Sequence, residues 1–238
     1  MNEKRTNLGA ARAKELAHFT ESRQDKTKSI DMDLLCRMAR HLIVNGSFLN
    51  NFGLVHGKMG MVIALAMLGR ETGETLYEDS AGDLLDEIFE DISENTPINF
   101  EDGLCGIGWG ILWLLRNGYM EGDPDEVLAD VDNKIMERDL RRITDGSFRF
   151  GLGGISYYIE ERLDECKARK KKAFDQQYLT EWEVGKERCK ESLELTLPSE
   201  FWSTFDNMDV TKFLNLPLGL ENGCAGFIVH ALKTNAFL

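Results

Sequence analysis

Prolines are few, four in 238 residues, and β-branched clusters are sparse, so little in the chain asks for strands or sharp backbone breaks. Cysteines are equally uninformative as a framework. Cys36, Cys105, Cys166, Cys189 and Cys224 are odd in number, widely spaced and without any Cys-x-x-Cys pair, which argues against a disulfide scaffold or a zinc ribbon. No apolar run approaches the roughly 18 residues of a membrane span. The opening Met1 to Arg5 lacks the apolar stretch of a secretory signal, so the expected compartment is the cytoplasm, with reduced thiols. Positive charge is also scarce. Basic residues number 28 against 41 acidic, a net charge of −13, and the resulting field repels phosphate backbones and anionic membrane surfaces. Neither nucleic acid nor membrane is an expected partner. The exception is the compact basic run Lys167 to Lys172, which follows an apolar helical segment and reads as a solvated helix end favoured by the macrodipole.

What the chain does contain is helical periodicity and glycine. Its length suits one domain able to bury a core, with a polar segment over residues 1–30 that carries only a weak helical pattern at Ala10 to Phe19. Apolar residues recur at helical spacing, which predicts an all-α fold. Across it the spacing Gly-x-x-Gly followed by an apolar run occurs as Gly57/Gly60, Gly103/Gly106, Gly151/Gly154 and Gly223/Gly226. The first two steps are roughly 46 and 48 residues and the last roughly 72, in the range of helix-pair repeats. Amphipathic segments with charged faces lie between them: Met32 to Asn45, Leu76 to Ile92, Asp125 to Leu140 and Phe174 to Leu197. These predict outer helices, and the more uniformly apolar runs after each glycine pair predict inner ones.

Glycine at the start of each inner helix would permit positive φ and close approach of the preceding loop. Four inner helix N-termini would then share one mouth, with unpaired N–H groups and partial positive charge around it. That mouth is the predicted site, formed by the eight repeat glycines.

These turns, with Gly103-Leu104-Cys105-Gly106-Ile107-Gly108-Trp109-Gly110 among them, make the chain resemble the lanthionine synthetase C-like family from about Asp31 onward. A further echo runs from Asn117 to Asp132. The resemblance implies an α/α toroid, a barrel of helical hairpins, here incomplete with about four hairpins. It also implies a place in a peptide-modifying system, where family cyclases use zinc to add a cysteine thiol to a dehydrated residue of a precursor peptide. The family places zinc-ligand cysteines two positions before the first glycine of a repeat. Those places hold Val55, Glu101, Arg149 and Glu221, so no metal and no cofactor is expected. His56 falls on a family position that ligates metal or handles protons, which makes it the first catalytic candidate. The expected partners are a precursor peptide or a peptide-modifying enzyme at the mouth, and an exposed apolar edge would favour a homodimer.

Two other functions fit the residue types. Glu101, Asp102, Glu221 and His56 all lie at motif mouths, and an acid–base enzyme acting on carbohydrate, a glycosidase or epimerase, needs a carboxylate pair. A structural adaptor would instead use the acidic outer helices. Trp109, Trp113, Tyr157 and Tyr158 read as core filling, Cys105 and Cys224 as small buried hydrophobes, and His230 as structural. His18 and His41 have no motif around them.

Overall fold

The computed structural model describes residues 31–198 and 210–235. Among them the protein is all-helical, with no strand. Two compact units are distinguished. Of the first, Met1–Leu34, only the opening of one helix falls within the described residues, and everything below concerns the second, Leu35–Leu238. The segment 1–30, with its Ala10 to Phe19 pattern and His18, lies outside the described residues.

Helix α1 (Met32–Gly46) buries Leu35, Met38, Ala39 and Leu42, one stripe at the i, i+3, i+4, i+7 spacing of an amphipathic helix. Helix α2 (Lys58–Thr72) is different in kind. Every residue from Lys58 to Gly69 is buried, and the helix stops at Gly73, whose left-handed φ of 71° lets its N–H bond to the Gly69 carbonyl. Helix α3 (Thr75–Asp91) lies against α2 and buries Tyr77, Ala81, Leu84, Leu85 and Ile88 while its other face stays acidic. Helix α4 (Leu104–Arg116) repeats the buried type.

The third outer helix, expected as one piece from Asp125 to Leu140, is two short ones, α5 (Pro124–Val127) and α6 (Ala129–Met136), followed by a 3-10 turn at Leu140–Arg142. Its start follows the sequence: Asp123 accepts the Asp125 N–H as a cap, and Pro124 sits at the first position, where no amide hydrogen is needed. Helix α7 (Leu152–Arg169) follows the third glycine pair. Helix α8 (Gln176–Arg188) is capped by Asp175, and α9 (Cys224–Asn235) follows the fourth pair. The expectation that the fourth outer helix reaches Leu197 is corrected, since α8 ends at Arg188. Beyond it the Glu194 N–H donates to the Gly146 carbonyl, and the Glu194 carboxylate accepts the Phe148 N–H. Continuing the helix would forfeit both.

The four buried helices are neighbours in the order α9, α2, α4, α7, so the last hairpin packs beside the first. Outer helices lie on their own partners, α3 on α2, α6 on α4 and α8 on α7. Burying a Leu-sized side chain contributes about 1.5–3 kcal/mol, and most of the core's apolar side chains sit on these four inner helices. This arrangement brings the four glycine turns to adjoining positions.

Candidate functional site

Each turn is built alike. The residue after the first glycine donates its N–H to a carbonyl of the incoming loop: Lys58 to Asn51 (2.9 Å), Leu104 to Pro97 (2.8 Å), Leu152 to Asp145 (2.8 Å) and Cys224 to Pro217 (2.8 Å). The next N–H is taken too, by Phe52, Ile98 and Leu218 in the first, second and fourth turns and by Ser147 in the third. The expected ring of unpaired N–H groups is therefore corrected, because the chain caps its own inner helices with backbone oxygens.

Positive φ is not the reason for glycine either. Gly57, Gly103 and Gly151 have φ of −113°, −121° and −103°, extended values open to any residue. The reason is space. A Cβ on Gly57, Gly103, Gly151 or Gly223 would strike the loop carbonyls of Asn51, Pro97, Asp145 or Gly219, and one on Gly60, Gly106, Gly154 or Gly226 those of Leu54, Phe100, Phe148 or Leu220. The second glycines also admit the neighbouring turn. Leu220 fills the place where a Gly60 side chain would be, Leu54 adjoins Gly106, and Phe100 adjoins Gly154. Backbone bonds follow the same sequence of turns. Leu220 N–H donates to Val55 O (2.7 Å), Val55 N–H to Glu101 O (3.0 Å), and Phe100 and Glu101 N–H to Arg149 O (3.2 and 3.1 Å).

Those bonds join the last turn to the first, the first to the second and the second to the third. Side chains join the third to the last. Arg149 Nη2 donates to Glu221 Oε1 at 2.5 Å and Nη1 to Glu221 Oε2 at 3.2 Å, a two-pronged pair, while Nη1 also reaches Glu101 Oε2 at 2.7 Å. His56 completes the group, its Nε2 lying 3.0 Å from Glu101 Oε1 and 3.4 Å from Glu221 Oε2. A carboxylate can only accept, so the Nε2 of His56 carries the proton and, in the neutral ring, Nδ1 is the acceptor. Among the described residues Nδ1 makes no hydrogen bond, and the ring is 39% exposed whereas the Glu101 side chain is 6% exposed. The Arg149 hydrogen bonds hold the Glu221 carboxyl below its ordinary value of 4.5, outweighing partial burial, and the two carboxylates push the Arg149 guanidinium up. His56, Glu101 and Glu221 are thus brought together as expected candidates, with Arg149 between the acids.

No family model, curated protein or solved structure matches this chain.

The residues present do not fit the zinc that the resemblance implies. The guanidinium of Arg149 already lies where a cation between Glu101 and Glu221 would be, and no group of three or more His, Cys, Asp or Glu among the described residues is arranged to hold a metal ion. Asp102 faces elsewhere. Its carboxylate accepts from Asn51 Nδ2 at 2.9 Å, in a recess of about 370 Å³ bordered also by Asn50, Phe52, Asp91 and Asn95.

Other expected residues have structural places. Cys105 and Cys224 are fully buried, and burial pushes their thiols up, to about 11 for Cys224. Trp109 and Tyr158 fill the core, and Tyr157 packs edge-on against Phe100. Trp113 departs from that reading: it is half-buried and stacks on Tyr119 with ring centroids 5.3 Å apart. His41 shares a hydrogen bond of 3.1 Å with Asn45 and meets Phe213 edge-on. His230 is half-buried on α9.

Sequence reasoning did not assign a role to Arg149, although a signal was there: equivalent positions before the second, third and fourth glycine pairs read Glu, Arg, Glu. It also missed a buried network. Arg162, 1% exposed, donates from Nε and Nη2 to Asp132 Oδ2 at 3.0 and 2.7 Å, and Tyr158 donates to Asp132 Oδ1 at 2.6 Å. Burial pushes the Asp132 carboxyl up in spite of Arg162. The basic run is more than a solvated helix end, since Arg169 and Lys171 pair with Asp123 and Asp125 at the start of α5.

Proposed function

We propose that this chain is a lanthionine synthetase C-like scaffold of a peptide-modifying system, a small toroid of four hairpins, which binds a precursor peptide or a modifying enzyme on its turn face and performs no zinc-dependent cyclisation. The observation that carries the reading is the quartet of His56, Glu101, Arg149 and Glu221, in which a guanidinium bridges two carboxylates at the meeting point of the turns. In this reading Arg149 closes the ring electrostatically, in the place where the cyclases hold their metal.

The half-exposed His56 offers its Nδ1 acceptor, and the separate recess at Asp102 offers Asn50 and Asn95 amides beside the Asp91 and Asp102 carboxylates, a lining suited to an extended polar peptide. The same ion pairing weighs against a glycosidase. Such an enzyme needs one carboxyl held protonated near neutral pH, whereas Arg149 holds Glu221 in the opposite direction and also engages Glu101.

The test is peptide-array binding to the purified full chain, repeated with His56→Ala and Asp102→Ala. Selected peptides should lose at least tenfold in affinity with either substitution while the fold is unchanged. Stoichiometric zinc in the purified protein, or thiol addition to a dehydrated peptide by the isolated chain, would overturn the reading.

A further inference from the structure

A second surface, away from the turn face, points to a partner of definite chemistry. Between α3 and the segment 118–121 lies a groove of about 370 Å³, floored by Val62 and Ala66 of α2 and walled by Ala81, Leu85 and Leu114. Its walls, α3 on one side and Leu114 with the segment 118–121 after α4 on the other, leave Val62 and Ala66 of α2 between them.

Gly82 stands in the wall of this groove and is the anomaly that gives it meaning. Glycine inside a helix is destabilising relative to alanine, and elsewhere in the described helices the chain has a use for it. Gly46, Gly60, Gly69, Gly106, Gly108, Gly110, Gly153, Gly154, Gly185 and Gly226 each face an atom that a Cβ would crowd, whereas a Cβ on Gly82 would meet nothing. Nothing among the described residues accounts for it. A missing side chain in a groove wall does allow another backbone to approach closely.

Charge specifies the rest. Glu78 and Glu121 border the groove, and Asp79, Asp83 and Asp86 are exposed beside Gly82. Helix α3 has no basic residue, and its acidic residues stand four apart at Asp79 and Asp83 and at Asp86 and Glu90, an arrangement unfavourable for an isolated helix. Glu90 and Asp91 end it with the wrong sign for its dipole. The cation on the groove's border, Arg70, is engaged, donating to the carbonyls of Asn117 and Gly118 and lying 3.4 Å over the Tyr119 ring.

We infer that this groove docks a basic amphipathic helix of a partner protein, with the apolar side against Val62, Ala66 and Leu85, the backbone passing over Gly82, and lysines or arginines on the acidic side. The inference is independent of the turn-face reading, because no residue is shared between the two surfaces.

The experiment uses the full chain and three labelled synthetic peptides of about 18 residues, five helical turns. One is a leucine/lysine amphipathic helix, one its leucine/glutamate counterpart, and one a lysine/serine peptide of equal charge. Fluorescence anisotropy should show binding of the leucine/lysine helix alone. Gly82→Leu should weaken it at least tenfold, Gly82→Ala severalfold, and Asp79→Lys with Asp83→Lys at least tenfold, all with unchanged or higher helicity by circular dichroism. His56→Ala should leave it unaltered. Absence of binding, equal binding of the lysine/serine peptide, or full binding by Gly82→Leu would each overturn the inference.

Discussion

Arg162 and Arg149 are among the arginines of this protein that lie between two acids, and their settings differ. Arg162 is sealed at 1% exposure against Asp132 and Asp125, tying α7 to α6 and α5, whereas Arg149 lies on the turn face with a half-exposed histidine beside it. A sealed pair can only hold elements together, since its desolvation must be met by fixed partners. An ion pair open on one side can also meet a ligand. The comparison separates a structural cluster from a candidate site more surely than residue type, because both contain the same chemical groups.

Substitutions can break this comparison in order of size. Asp132→Ala removes the nearer carboxylate of buried Arg162, leaving it only Asp125 at 3.2 Å, and should cost about 3 kcal/mol in urea unfolding. Gly106→Ala drives a Cβ into the Phe100 carbonyl and should cost about 2–3 kcal/mol, with a changed near-ultraviolet spectrum as the first two turns separate. Arg149→Ala leaves Glu101 and Glu221 facing one another; solvent on the open side limits the cost to roughly 2 kcal/mol, and Arg149→Lys should not restore the two-pronged pair.

Acid adds a finer test. Because the folded-state value of Glu221 is depressed, its contribution is present above the ordinary carboxylate value of 4.5 and is lost as the pH falls below it through the folded value. Stability measured from pH 6 downward should therefore fall less steeply in Glu221→Gln than in the wild type. The smallest effect on stability belongs to His56→Ala, within about 0.5 kcal/mol, its main consequence falling on the proposed peptide binding. A large loss of stability there would place His56 with the sealed class.

Much of the fold was legible because helical periodicity and glycine spacing are local. Asp123-Pro124 marked a helix start and the runs after Gly57 and Gly103 marked buried helices, all of which the structure contains. The end of α8 was not legible. Residues from Cys189 to Leu197 could continue a helix, and what stops them is a long-range exchange, Glu194 bonding to Gly146 and Phe148. The quartet was half legible: His56, Glu101 and Glu221 stood out by position, but Arg149 gains its role only when the third turn comes beside the last.

By itself, then, the sequence determined the all-helical class, which runs form the buried helices and where the paired glycines recur, since these depend on side-chain periodicity and on residues close together in the chain. Only the tertiary structure decided that the glycines serve carbonyl contacts in place of positive φ, that Arg149 bridges Glu101 and Glu221, and that Gly82 alone among the described helical glycines faces open space. Each of those depends on distances between residues far apart in the chain, and such distances exist only once the hairpins have packed.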